Sequence, residues 1–439
     1  MQEERITLYS QRLAALIRCE TVSQENQTDK QKFYAFREIL QELFPNLFGC
    51  CDLEDFDGSF LLHWKGSGEE LPVMLMNHHD VVEAPGNWTY PPFSGTIADG
   101  KLWGRGTLDT KCGLWAMMQA AEELIKDGFV PNRDVYFVSA CTEETDGSGA
   151  KRIAEELEQR GIRFALVLDE GGMILDEPLS GAKGTFAMIG LGEKGCADLK
   201  FIARSAGGHA STPGKDTPLV RLGKFMAEAE KTDLFNADMH PAIQEMLRRM
   251  AGTMSQPLRF VLGNPRWFKG LLLRMMPVVS ASAGAMLKTT LAFTMAKGSD
   301  GSNVLPQEAW VVGNMRYSHH QGGEDSIAAV RKLAQRFDIE TVVLDPGFSS
   351  GMADYRSKGF RLVEKAVAAV FPGVIASPYL MTGASDSRFM SKICDTCLRF
   401  APIHISESQM ASIHGIDENV DLSALAPAVD FYKYILTEV

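Results

Sequence analysis

The sequence predicts an α/β protein: a three-layer αβα domain around a mostly parallel central sheet, with a smaller α+β domain inserted into it. Three observations carry this. Apolar strand-like runs alternate with helix-period runs up to about residue 190 and again after about 355, the pattern of a parallel sheet covered by helices. Acids and histidines stand where those strands end, the place where sites gather in open α/β sheets. Between the two alternating parts the texture changes, and strands and helices lose strict alternation. A chain of 439 residues has room for two or three domains. The expected division is 1–191 and 346–439 for the first domain and 192–345 for the inserted domain.

Taken in order, residues 5–18 and 29–44 carry apolar side chains at helical spacing, with Leu13, Leu16 and Ile17, then Phe33, Phe36, Leu40 and Leu43. Strands are expected at 60–64 and at 73–76, the second feeding into Asn77-His78-His79-Asp80. A proline-rich loop follows over 83–100. Trp103-Gly104-Arg105-Gly106-Thr107-Leu108-Asp109-Thr110-Lys111 then leads into a helix that ends near Gly128. A buried strand over 134–140 ends at Glu143-Glu144, and a helix over 148–160 precedes a strand at 164–168 that ends at Asp169-Glu170. The insert is expected to hold strands at 197–203, 289–296, 308–315 and 339–344, with helices near 216–230 and 324–336. Helices near 357–371, 385–393 and 421–437, with strands near 378–381 and 397–401, complete the first domain.

Within the insert, residues 240–287 are unusually apolar, from Trp267 and Phe268 through Leu271, Leu272, Leu273, Met275 and Met276 to Val279. Arg274 and Pro277 interrupt the run, which is short for a membrane span. A buried or partner-covered helical hairpin is expected there. Such a segment also suits the border of a pocket for a greasy substrate, or a subunit contact.

Composition excludes several functions. A formal net charge of −12 opposes nucleic acid as a partner, because phosphate binding needs a basic face. No membrane partner is expected. The acidic start Met1-Gln2-Glu3-Glu4-Arg5 lacks the look of a signal peptide, and eight scattered cysteines suit reduced thiols, so a cytoplasmic location is expected. Cys394-Asp395-Thr396-Cys397 has no second pair and is expected to pack in the core.

The chemistry rests on His78, Asp80, Asp109, Glu143, Glu144, Asp169, Glu170 and His414. Imidazoles with carboxylates and no thiolate suit zinc or its borderline neighbours at a reactive site. Strand alternation points His78 and Asp80 one way and His79 the other, and Asp80 is then placed to orient His78. Adjacent acids are costly to desolvate together. One of the Glu143-Glu144 pair can bind a cation while the other acts as a base; the plain alternative is a solvated helix start. Asp109, just before a helix, is either an N-cap or a ligand.

At these positions the sequence resembles the aminoacylase and carboxypeptidase S branch of the co-catalytic di-zinc metallopeptidases. The matching motifs are His78-x-Asp80-Val81-Val82, Trp103-Gly104-Arg105-Gly106-x-x-Asp109-x-Lys111, Glu143-Glu144, Leu168-Asp169-Glu170-Gly171, Gly192-Glu193-Lys194-Gly195, Gly208-His209-Ala210-Ser211-x-Pro213, Asn303-Val304-Leu305-Pro306, Thr382-Gly383-Ala384-Ser385-Asp386 and His414-Gly415-x-Asp417-Glu418. The Pro91-Pro92-Phe93-Ser94-Gly95 loop also matches the carboxypeptidase S branch, while Glu83 stands where relatives usually have proline.

The resemblance implies roles. Asp109 would bridge two Zn2+ per chain, with Co2+ or Mn2+ as substitutes. His78 with Asp169 or Glu170 would complete one metal site, and Glu144 with His414 the other. The inserted domain, 192–345, would serve as a lid and dimerisation domain. Glu143 would be the general base, Asp80 the orienter of His78, and His209 the oxyanion donor, often contributed across a dimer formed by the lid. Asn303, Arg316, Ser385 and Arg388 would grip the substrate. A cis peptide is implied at Asp109–Thr110. The implied activity is hydrolysis of an amide next to a free carboxylate in an N-acyl amino acid or short peptide. The alternatives are a dipeptidase or desuccinylase-like specificity on the same site, or a non-catalytic metal-binding protein.

Overall fold

In the computed structural model, which describes residues 2–439, the chain builds a ten-stranded sheet and a separate four-stranded sheet. The centre of the large sheet holds Val135–Ala140, Val73–His78, Leu166–Asp169 and Cys397–Arg399, side by side and parallel. Antiparallel pairings flank this centre, with Ser59–Trp64 on one side and Thr185–Glu193 on the other. Alternation within a strand sorts the core into two layers. Val73 and Leu75 face the helices Gln2–Ile17, Lys111–Lys126, Lys358–Val370 and Leu422–Glu438, while Met74 and Met76 face the helix Ser148–Gln159. The strand centre is therefore buried on both faces, as a parallel sheet requires.

The four-stranded sheet has the order Thr290–Lys297, Glu308–Tyr317, Gly195–Arg204, Glu340–Asp345 and is wholly antiparallel. The helices Pro218–Lys231 and Gly322–Gln335 cover one face around Phe201, Phe225 and Val330. Glu193 ends a strand of the large sheet and Gly195 begins one of the small sheet, so Lys194 lies at the junction.

Several elements differ from the sequence expectation. The expected loop over 83–100 contains a strand, Thr96–Ala98, which pairs with Lys101–Trp103; that strand pairs in turn with Asn419–Asp421. Thr185–Glu193, a nine-residue strand, escapes the pattern because it is buried on both faces and shows no alternation. The helix expected over 385–393 is a single turn, Ser387–Met390. The apolar run 240–287 forms the short helices Pro241–Ala251, Leu258–Gly263, Lys269–Val279 and Ala281–Ala285. These pack through Met246, Met250, Leu272 and Met276 onto Phe186, Met188 and Leu380 of the large sheet. Cys394 and Cys397 are buried free thiols. No helix among the described residues is long and apolar enough to cross a membrane.

Candidate active site

The site forms beyond the carboxyl ends of the central strands. Val73–His78 ends on His78 itself, whose ring is buried. The carboxylate of Asp109 reaches it from the loop before the Lys111–Lys126 helix. Its two oxygens face different imidazoles: Oδ1 lies 3.1 Å from His78 Nε2 and Oδ2 lies 3.0 Å from His414 Nε2. His414 Nε2 is also 3.2 Å from Glu144 Oε2. Ligand atoms of His78, Asp109 and Glu144 all lie within 4.8 Å of one another. The second Glu144 oxygen, Oε1, is buried without a hydrogen-bond partner. Thr110, not Asp109, occupies the cap position of the helix, and it makes no side-chain cap bond. The Asp109 carboxylate is therefore turned into the site, and the N-cap reading fails. The Asp109–Thr110 peptide is cis.

The electrostatics follow from burial and proximity. Burial pushes the Glu143 carboxyl well above the usual carboxylate range, and the neighbouring acids Asp386, Glu144 and Asp109 reinforce it. Glu144 and Glu170 are raised by the same cause. The carboxylates of Asp109 and Glu144 hold His414 up to about 10. So many acids around two imidazoles, with a buried orphan oxygen among them, form a donor set that suits a divalent cation.

Asp80 does more than the alternation rule implies. Its carboxylate oxygen is 3.5 Å from His78 Nδ1, while the closer partner of that nitrogen is the Asp80 backbone carbonyl at 2.9 Å. The carboxylate instead accepts the backbone N–H groups of Glu143 (3.2 Å) and Glu144 (3.1 Å) and the hydroxyl of Ser23 (2.7 Å). Asp80 thus fixes the turn that presents both acids. His79 points away from the site, stacks on Phe36 and donates or accepts with Ser139 Oγ at 2.8 Å.

Asp169 and Glu170 separate clearly. The Asp169 oxygens accept the N–H of Glu170 (2.9 Å) and of Ser387 (2.7 Å). Among the described residues the Glu170 carboxylate accepts no hydrogen bond, and it feels the charges of Asp109 and His78. Arg388 lies beside the cluster, with Nη1 3.9 Å from Glu143 Oε1. Ser385 is fully buried, and its N–H and hydroxyl both donate to Glu193 Oε2 at 2.9 Å, so its polar groups serve the interior. His209 and Asn303 sit on the exposed two-stranded pair formed by 208–209 and 304–305, where Ala210 N donates to the Asn303 carbonyl. Neither contacts the His78–Asp109 cluster among the described residues. Arg316 lies on the small sheet, with Nε donating to Asn314 Oδ1.

Sequence reasoning assigned no role to Glu418. It is fully buried, and Oε1 accepts Leu108 N–H (2.7 Å) and Asp109 N–H (3.1 Å). Its Oε2 accepts Gly106 N–H (3.1 Å) and Arg105 Nη1 (2.7 Å). Arg105 Nη2 also donates to the Gly415 carbonyl, one residue after His414. Asp386, buried with both oxygens unpartnered beside Glu143, was likewise missed. Both lie inside quoted motifs, which were the available signal.

Comparison with known proteins agrees with this geometry. A profile of the peptidase family M20/M25/M40 matches residues 74–438. Over 440 residues the chain is 31% identical to the N-fatty-acyl-amino acid synthase/hydrolase PM20D1 of Homo sapiens, covering 98% of this chain and 87% of that protein. It is 30% identical over 445 residues to the probable carboxypeptidase S-like 2 of Dictyostelium discoideum, covering 97% and 84%. The M20 family metallo-carboxypeptidase Sso-CP2 from Sulfolobus solfataricus has a similar fold, with TM-score 0.71, 16% identity and 97% of both chains covered. Human carnosine dipeptidase 1 follows with TM-score 0.63, 15% identity and 99% and 97% covered. This chain belongs to the peptidase family M20/M25/M40 and is a metallohydrolase of amide bonds.

Proposed function

We propose that the enzyme hydrolyses N-acyl amino acids, with a preference for apolar acyl groups, and that it holds two Zn2+ ions for which Co2+ or Mn2+ can substitute. The observation that carries the metal assignment is the orientation of Asp109, with one oxygen toward His78 and the other toward His414. His78 and Glu170 would complete one site, and Glu144 and His414 the other. Asp169 would hold the Glu170 and Ser387 backbone, whose N–H groups its two oxygens accept. When bound, the ions would polarise the scissile carbonyl and lower the pKa of a water toward neutrality.

The chain's own residues supply the remaining steps. Glu143, held by Asp80 through its N–H, takes the proton of the attacking water and passes it to the leaving nitrogen. Arg316 binds the substrate carboxylate from the small sheet, and Arg388 lies close enough to steer Glu143. His209 and Asn303 reach the carbonyl when the lid closes, from the same chain or from a partner in a homodimer. An oxyanion contact of this kind is worth about 3 kcal/mol in other enzymes.

The acyl preference is supported by the buried side of the apolar helices of 240–287, the side that carries Met246, Met250, Leu272 and Met276. Their cluster extends to Tyr379, which feels the charge of Glu170, so apolar surface borders the acidic site. The relative named as an N-fatty-acyl-amino acid synthase/hydrolase supports the same reading. A panel of acyl amino acids of graded chain length, with dipeptides and succinyl-diaminopimelate, run with zinc, cobalt and manganese, tests it. kcat/KM should rise up to about fourfold per added CH2 until the apolar surface is filled. A preference for dipeptides or short polar acyl groups would sink the acyl reading. Absence of bound metal together with absence of hydrolysis would favour a non-catalytic protein.

A further inference from the structure

The helix Lys269–Val279 buries Leu272 and Met276 and leaves its opposite side to solvent. On that side stand Leu271, Met275 and Val278, at positions i, i+4 and i+7, and Trp267 continues the stripe one turn earlier. Trp267 is 77% exposed and Val278 is 82% exposed. Phe260, from the preceding short helix, is half exposed and packs edge-on against Phe268, so the two helices present one surface. An exposed apolar face built by neighbouring helices marks a contact site.

The segment that builds this face carries cations only, and the acid nearest to it, Asp238, is already paired with Lys269. No acid occurs between Glu245 and Asp300, although the whole chain carries −12. Arg259, Arg266 and Arg274 are exposed in or beside the stripe, and among the described residues none of them has an acidic partner. Arg274 falls between Leu271 and Val278 on the same helical side. Aromatic and aliphatic side chains interleaved with guanidinium groups that have no acidic partner fit an anionic lipid–water interface, where the rings enter the acyl boundary and the cations meet the headgroups. A twofold contact between copies would set these arginines against each other, and the nearby acid Asp238 is already engaged by Lys269.

We propose that this face, Phe260 to Val279, docks the enzyme on an anionic lipid surface. The proposal departs from the expectation of no membrane partner, and it is independent of the acyl-substrate reading. The peripheral contact needs no spanning helix.

The test is co-sedimentation of the full chain with phosphatidylcholine vesicles and with vesicles containing about one third phosphatidylglycerol. Binding should require the anionic lipid and weaken with salt. The triple variant R259E/R266E/R274E should partition at least a hundredfold more weakly, since each basic residue near such a surface contributes appreciably. W267S/V278S should also lose binding. Both variants should keep their unfolding midpoint and their activity on a short water-soluble substrate, which separates docking from folding and from catalysis. Three results would overturn the proposal: no binding to anionic vesicles, equal binding to neutral ones, or undiminished binding by the arginine variant. Loss of a dimer in W267S/V278S, with no vesicle binding by the parent protein, would instead assign the face to a second copy and overturn it as well.

Discussion

Glu418 offers the sharpest test of how the site is held. Its carboxylate is fully buried and accepts Arg105 Nη1, Gly106 N–H, Leu108 N–H and Asp109 N–H at 2.7–3.1 Å. Glu418→Ala removes every one of these acceptors. The Arg105 cation then stays buried with Nε already unpartnered, and three backbone N–H groups are stranded. Breaking one side of a buried ion pair costs about 3–5 kcal/mol. A stranded N–H adds about 1–3 kcal/mol unless water enters. We expect about 4–6 kcal/mol of lost stability by urea unfolding of metal-free protein. Activity should fall too, because Glu418 fixes the Asp109 backbone and Arg105 ties in the Gly415 carbonyl beside His414. A displacement of about 1 Å there would cost about a hundredfold in kcat/KM. Glu418→Gln keeps an acceptor for Leu108 and Asp109 but turns an amide donor toward Arg105, so an intermediate loss of about 2 kcal/mol is expected. The double variant R105M/E418A should be less damaging than the two single losses combined, by at least about 1 kcal/mol. If E418A unfolds within about 1 kcal/mol of the parent and keeps its kcat/KM, the account of this loop is wrong.

Other expectations follow from the same geometry. Glu143→Ala should retain bound metal by elemental analysis and lose about 10²–10⁴ in kcat, and normal turnover would end the general-base assignment. Chelation should abolish hydrolysis and lower the thermal midpoint, with both restored by added zinc; unaltered activity after verified metal removal would refute metal dependence. Glu170→Ala should lower metal stoichiometry, while Asp169→Asn should keep the metal and lose stability; the reverse pattern would exchange their roles. Lys194 is pushed down to about 7 by burial, with Arg316 adding to it, while its Nζ donates to the Ala285 and Lys288 carbonyls. The unfolded chain holds that proton up to about pH 10.5, so between about pH 7 and 10.5 the unfolded state binds more protons and stability rises with pH, by up to a few kcal/mol. Lys194→Met should flatten this slope in urea titrations, and an unchanged slope would assign it to other groups.

Much of this was legible in the sequence, because local rules govern it. Alternation along Val73–His78 and helical periodicity in Phe33, Phe36 and Leu40 depend on neighbours a few residues away, so the layered α/β architecture could be read directly. The acids and histidines could be located at strand ends for the same reason. Thr185–Glu193 could not, since burial on both faces erases the alternation that marks a strand. Ser385 also misled: its motif suggested a substrate contact, whereas its hydroxyl is engaged by Glu193 in the interior.

What the sequence determined by itself was the inventory of imidazoles and carboxylates, their order, and the strands that end on them. Only the tertiary structure decided which of them meet. Asp109 and His414 are more than 300 positions apart, and so are Asp109 and Glu418. No local propensity encodes contacts at that separation; they exist because the large sheet and its helices bring both loops to one end. The same packing decided that the Asp169 oxygens accept the Glu170 and Ser387 N–H groups, while among the described residues the Glu170 carboxylate accepts none, a difference between adjacent residues that sequence spacing leaves open. It also exposed one side of Lys269–Val279, because burial of Leu272 and Met276 against the large sheet leaves Leu271, Met275 and Val278 no core to enter.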